Sequence, residues 1–220
     1  MTPGPIDLAS LSVITLLCAA LLVPLVSRSQ RLLITSGFTL TAAASLLAVI
    51  GGAWTVWRGE AQSLVMLIGL PDLPFHLRLD PLAGFFLVVI GLLSCFVSVY
   101  SIGYVKGFLG KRSVTSLAIF YCLFLAGMFM VVLSDDALIF LISWEVMAAA
   151  SYFLVMFEDE RIENRRAAFL YMVVAHVGAI AILLSFGVLA GLAAGFGSFS
   201  GYTFDAMRSA HFPVEWATVA

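Results

Sequence analysis

Apolar residues fall in six long runs, each close to the roughly 20 residues that a helix needs to cross a hydrocarbon core. The runs are Leu8–Val26, Leu32–Trp57, Pro81–Val105, Val114–Leu133, Ala137–Phe157 and Ala167–Gly191. Short polar punctuators divide them: Ser27-Arg-Ser-Gln, Lys106 to Ser113, Ser134-Asp-Asp, and Glu158 to Arg166. A seventh run starts at Val214 and is expected to be an interrupted helix. The pattern predicts an all-α, polytopic transmembrane bundle of about six spans plus the start of a seventh. The longest connection, Arg58 to Asp80, is patterned differently. Phe75-His-Leu-Arg-Leu-Asp alternates apolar and polar, and Pro71-Asp-Leu-Pro74 separates it from the apolar run Ser63–Leu70. That is the signature of a short hairpin.

Composition agrees. Hydrophobic residues make up 62% of the chain and charged residues 11%, with a mean hydropathy of +1.10, whereas soluble domains carry about 25% charged residues. Such a chain cannot cover itself with polar surface, so its solvent is lipid. A net charge of −2 gives no reason to expect nucleic acid. The first run is longer than a secretory h-region and lacks a basic n-region, so it is expected to remain as a span. Cys18, Cys95 and Cys122 are widely spaced in apolar runs and are read as small buried hydrophobes.

Basic residues set the orientation. The connections after spans one, three and five hold Arg28, Arg31, Lys106, Lys111, Arg112, Arg161, Arg165 and Arg166, against Arg58, Arg78 and Arg208 on the other side. The positive-inside bias places the former in the cytoplasm and the N-terminus outside, in a multi-pass inner (plasma) membrane protein.

Glu145 is the residue that most needs explaining. It lies eight residues past Ala137 in the fifth run, about 12 Å from the outer end. A charge at that depth costs on the order of 2.5–3.5 kcal/mol on insertion scales, and such groups face protein or a wet cavity. Held between desolvation and a neighbouring cation, the carboxyl could take up and release protons. The competing reading is a permanently protonated Glu making one interhelical hydrogen bond. Ala148, Ala149 and Tyr152 follow on the same helix face; the alanines admit a neighbouring helix, or simply pack. His176 lies nine residues past Ala167 in the antiparallel sixth run, within about one helical turn of Glu145 in depth. It is a candidate proton relay, or alternatively an interhelical hydrogen-bonding group. Tyr152 and Tyr171 are candidate supporting hydroxyls. The acids of Ser134-Asp135-Asp136 are expected to cap the fifth helix, and Glu158-Asp-Glu-Arg161 with Arg165-Arg166 reads as a solvated loop with an interfacial anchor. Gly107-Phe-Leu-Gly110-Lys-Arg lacks the Walker spacing, and Gly195-Phe-Gly197 follows an apolar run and not a strand, so no nucleotide, flavin or metal cofactor is expected.

Ser134-Asp-Asp-Ala-Leu-Ile-Phe-Leu-Ile-Ser-Trp-Glu-Val-Met-Ala-Ala-Ala-Ser-Tyr-Phe-Leu resembles the fifth span of the antiporter-like subunits shared by respiratory complex I, membrane-bound hydrogenases and multisubunit cation/proton antiporters. Arg166-Ala-Ala-Phe-Leu-Tyr-Met-Val-Val-Ala-His-Val-Gly178, Leu79-Asp-Pro-Leu-Ala-Gly-Phe-Phe and Ser98-Val-Tyr-Ser-Ile-Gly-Tyr104 extend the resemblance. The last motif and Ala-His-Val-Gly lean towards the hydrogenase branch, that of the membrane subunits of hydrogenase-4 and formate hydrogenlyase. The resemblance implies a subunit of about fourteen helices with two inverted repeats. In each, a fifth-span Glu pairs with a seventh-span Lys to form half of an ion path. Glu145 matches the first partner, and His176 and Ala179 stand where complex I members often carry further charges.

On that basis residues 1–133 are expected to form the first four helices with the outer loop at 58–80, and residues 134–220 to open the translocation domain. The chain is expected to be the N-terminal portion of a longer subunit, as a gene fragment or one half of a split gene. Its implied partners are other membrane subunits and hydrophilic redox subunits, with protons or sodium ions as cargo and electron transfer elsewhere. A structural anchor, a sodium/proton antiporter subunit and a membrane enzyme are the competing classes; the last has no nucleophile or metal constellation behind it. These residues alone are expected to conduct no protons. Flux from the isolated chain in liposomes, abolished by Glu145→Gln, would contradict that.

Overall fold

The computed structural model describes residues 3–26, 29–70, 73–194 and 203–209. Six long helices form: α1 (Pro5–Leu22), α2 (Gln30–Arg58), α3 (Pro81–Tyr104), α4 (Val114–Leu133), α5 (Ala137–Val155) and α6 (Ile162–Ala194). All six are long and apolar enough to cross a bilayer. Large side chains such as Leu21, Leu93, Phe96 and Leu184 stand outward and exposed along them. Leucine or phenylalanine stands outward on α1, α2, α3, α5 and α6, a surface made for lipid, and the chain is a multi-pass membrane protein.

The six apolar runs map one to one onto these helices, and the expected hairpin forms. Strand β1 (Gln62–Leu70) pairs antiparallel with β2 (Leu73–Leu79), with an irregularity in register between Met66 and Gly69. Two readings need correction. Helix α6 begins at Ile162, so Glu163, Arg165 and Arg166 belong to its first turns and not to a loop. Without proline or glycine between Arg161 and Ala167, nothing in the sequence stops the helix from extending into the polar region. Cys18 is exposed and Cys95 half-buried, leaving only Cys122 buried among the three, because lipid, unlike water, does not force a small apolar group inside. A short helix, α7 (Phe204–Ser209), was not anticipated. The run expected from Val214 lies outside the described residues.

Packing follows a simple order. Helices α1, α2, α3 and α4 enclose the main core around Leu16, Leu87, Leu125 and Phe129, with Leu77 and Leu79 of the hairpin closing one end. Helix α5 then packs on α4, and α6 on α5. Glycines permit the closest approaches: a Cβ on Gly127 would meet the backbone of Met147 at 3.0 Å, which brings α5 against α4 just beyond Glu145. Buried hydroxyls in α2 are satisfied inside the helix, with Thr41, Ser45 and Thr55 donating to the carbonyls of Gly37, Thr41 and Gly51.

One end of the bundle is tied by acids. Asp136 caps α5, its Oδ1 accepting from the Ile139 amide at 2.8 Å and its Oδ2 from the His76 amide of β2 at 2.8 Å. Asp135 pairs with Arg208 of α7 at 2.9 Å. Capping, read for this pair from sequence, is therefore the role of Asp136, whereas Asp135 anchors α7. Asp136→Ala removes a cap and strands a part-buried amide, which together are expected to cost about 2 kcal/mol. A lower thermal midpoint in detergent would register it, and Asp136→Asn, which keeps one acceptor, should lose roughly half as much.

Candidate functional site

The site is built by two antiparallel helices. Gly127 lets α5 sit tightly on α4 through Met147. Because Met147 is about 200° around the helix from Glu145, seating Met147 on α4 turns Glu145 the other way, towards α6. The loop from Glu158 to Arg161 returns the chain directly, so α6 can pack only alongside α5 at this point.

The result is a carboxyl–imidazole pair. Glu145 Oε2 lies 3.4 Å from His176 Nε2, with side chains 45% and 50% exposed, so one flank of the pair is open. His176 Nδ1 lies 2.9 Å from the Met172 carbonyl. A carbonyl oxygen can only accept, so Nδ1 carries hydrogen, and Nε2 of the neutral ring presents its lone pair to Glu145. At 3.4 Å the carboxyl and the imidazole are in close contact, and both are side chains of the general acid–base type.

The structure therefore brings together the two residues that sequence singled out, and it divides the two tyrosines. Tyr152 stacks edge-on against Phe153 at 5.3 Å and lies outside the polar contacts of the pair. Tyr171 joins a second crosslink, its hydroxyl 2.6 Å from Ser151 Oγ. Ser151 was not anticipated; six residues beyond Glu145, on a helix of otherwise apolar character, it offers no sequence signal beyond being a hydroxyl. The two crosslinks are about 9 Å apart along α5. Trp144, next to Glu145, stacks on Phe140 at 6.1 Å, and its buried indole N–H has no hydrogen-bond partner among the described residues. No group of three or more metal-ligating side chains occurs among them either.

The fold is that of a polytopic membrane protein, with a carboxyl–imidazole pair between two of its candidate spans. Residues 65–110 match the family model for the complex I NADH-ubiquinone oxidoreductase chain 5 N-terminus. The chain is 33% identical over 110 residues to hydrogenase-4 component B of Escherichia coli, covering 50% of this chain and 16% of that one. It is 38% identical over 146 residues to an uncharacterized protein of Mycobacterium tuberculosis, covering 65% and 22%. In structure it resembles a chain of the membrane-bound sulfane sulfur reductase, an archaeal respiratory membrane complex, with a TM-score of 0.66 at 19% identity over 87% of this chain and 38% of that one. Over these stretches the chain is similar to membrane subunits of complex I and of hydrogenase-4. It spans about a fifth of the length of these curated relatives.

Proposed function

We propose that the chain forms part of an ion-translocating subunit, in which Glu145 and His176 pass a proton in step with electron transfer on other subunits. The carrying observation is the Glu145–His176 pair, held 3.4 Å apart in the middle of two spans. An unpaired carboxylate there would cost on the order of 2.5–3.5 kcal/mol; the imidazole offsets this by sharing the proton. The open flank is where a further charged partner in the same assembly would bias the proton towards one atom or the other. Ser151 and Tyr171 stand between the pair and the basic end, and serve as the next hydroxyls on the path. Under this reading α5 and α6 open the translocation half and α1 to α4 support it, with electron transfer on other subunits. Its partners are the membrane and redox subunits of a hydrogenase- or complex I-like assembly.

The basic residues support a cytoplasmic placement for one end. Arg31, Lys106, Lys111, Arg112, Arg161, Arg165 and Arg166 gather where α1, α3 and α5 finish, and Arg58, Arg78 and Arg208 at the other. The test of function is ion movement by the assembled complex in proteoliposomes carrying Glu145→Gln. Assembly with lost translocation supports the proposal, and full translocation with the carboxyl gone overturns it in favour of a structural anchor.

A further inference from the structure

At the basic end, away from the Glu145–His176 pair, α4 and α5 part to leave a cavity of about 430 Å³. Its rim holds two cations, Lys111 and Arg112, and two acids, Asp159 and Glu160, so that it is electrically balanced. The charges are not equivalent. Arg112 is committed to the protein: Nη1 donates to the Phe157 carbonyl at 2.6 Å, Nη2 reaches Glu160 at 3.2 Å, and the guanidinium lies 5.7 Å over the Phe157 ring. It holds the α3–α4 connection to the end of α5 and sets the shape of the mouth. Lys111 is exposed and has no ion pair among the described residues. Beside it the hydroxyls of Ser113 and Ser116 lie 3.0 Å apart at the start of α4. On the opposite rim Asp159 and Glu160 are 65% and 80% exposed, and each has an oxygen that Arg112 does not engage.

Below the rim the character changes. Leu117, Phe120 and Phe153 form an apolar wall, with the two rings stacked at 4.3 Å, and Phe153 is exposed on the outer surface of the bundle. A cleft with a polar, charge-balanced mouth at the membrane edge and an aromatic wall leading into the hydrocarbon matches a phospholipid, headgroup above and acyl chain below.

The geometry points to a structural site for one phospholipid with a primary-amine zwitterionic headgroup, its phosphate on Lys111, Ser113 and Ser116, its ammonium on Asp159 and Glu160, and an acyl chain against Phe120 and Phe153. A purely anionic headgroup would meet the two carboxylates. A quaternary ammonium would present methyl groups where the carboxylates seek N–H donors. The inference rests on the membrane placement alone and not on the transport proposal.

Native mass spectrometry of the full chain in mild detergent, with equal amounts of phosphatidylethanolamine, phosphatidylglycerol and phosphatidylcholine of matched chains, tests it. One phosphatidylethanolamine should be retained in preference to the other two. Lys111→Gln should weaken that retention about five-fold, the scale of one basic contact. Asp159→Asn with Glu160→Gln should instead shift the preference towards phosphatidylglycerol, because the rim becomes net positive. Circular dichroism on each variant confirms that the helices remain. Equal retention of all three lipids, or a preference indifferent to both changes, overturns the assignment. So does displacement of the lipid by soluble phosphoethanolamine at similar concentration, which would make the site one for a free phosphate ester.

Discussion

Glu145→Gln is expected to reduce coupled proton translocation by roughly two orders of magnitude, the scale of removing a positioned proton donor and acceptor. The substitution is nearly isosteric, and the amide can still donate to His176 Nε2, so α5 and α6 should pair and the subunit should assemble. What the amide cannot do is exchange a proton. His176→Gln should cost less, roughly ten-fold, because Glu145 keeps its own titratable oxygen and loses only the atom that shares the proton. Tyr171→Phe removes one hydroxyl of the second crosslink and should cost less again if water can replace it. The order Glu145, then His176, then Tyr171 is the part of the prediction that a purely structural role for the pair would not produce. If transport tracks protein stability across the three variants instead, the pair is an interhelical clasp and nothing more.

Much of this was legible in the sequence, for identifiable reasons. Lipid demands long uninterrupted apolar helices, so the six runs could be bounded to within a few residues, and Pro81 and Ser113–Val114 marked starts directly. An acid amid Leu, Ile and Val stands out, and equal depth for Glu145 and His176 followed from 1.5 Å per residue on antiparallel helices. Which faces meet did not follow. Every side of these helices is apolar, so the usual amphipathic stripe that orients a helix is absent. The facing of Glu145 depends instead on Gly127 admitting Met147, a contact between residues 20 apart in sequence with no polar signature. The same loss of orientation explains the choice of Tyr152 beside Tyr171 without Ser151, and the assignment of Cys18 to the interior. Asp135 and Asp136 were read as two caps, since both precede a helix. Only the fold shows that one of them faces Arg208 of a short helix whose six residues carry no spanning pattern.

Gly52→Val should disrupt the bundle more than any other single apolar substitution in α2. A Cβ at Gly52 would lie 2.5 Å from the Gly84 carbonyl oxygen, 3.1 Å from Leu87 Cβ and 3.2 Å from Val88 Cγ2. A Cβ at Gly84 would in turn meet the Gly52 carbonyl oxygen at 2.8 Å, so the two glycines are face to face and α2 and α3 touch backbone to backbone. Gly51, one position around the helix, does the same for α1, where an added Cβ would stand 2.8 Å from the Pro5 carbonyl oxygen. Backbone cannot swing aside as a flexible side chain does, so the two helices must separate along this stretch. In a bilayer the apolar effect does not draw helices together; van der Waals contact and short Cα–H···O approaches do, and these fall off steeply with separation. The expected loss is about 3 kcal/mol or more, above the usual overpacking range of 1–3 because two backbones are involved. A collapse in folded yield and thermal midpoint would register it. Gly187→Ala on α6 is the matched control, since nothing lies within 4 Å of its added Cβ, and its midpoint should stay at or above that of the parent chain. Were Gly52→Val as stable as Gly187→Ala, α2 and α3 would not be in contact at Gly52 and Gly84, and the support on which α4, α5 and the Glu145–His176 pair rest would have to be arranged differently.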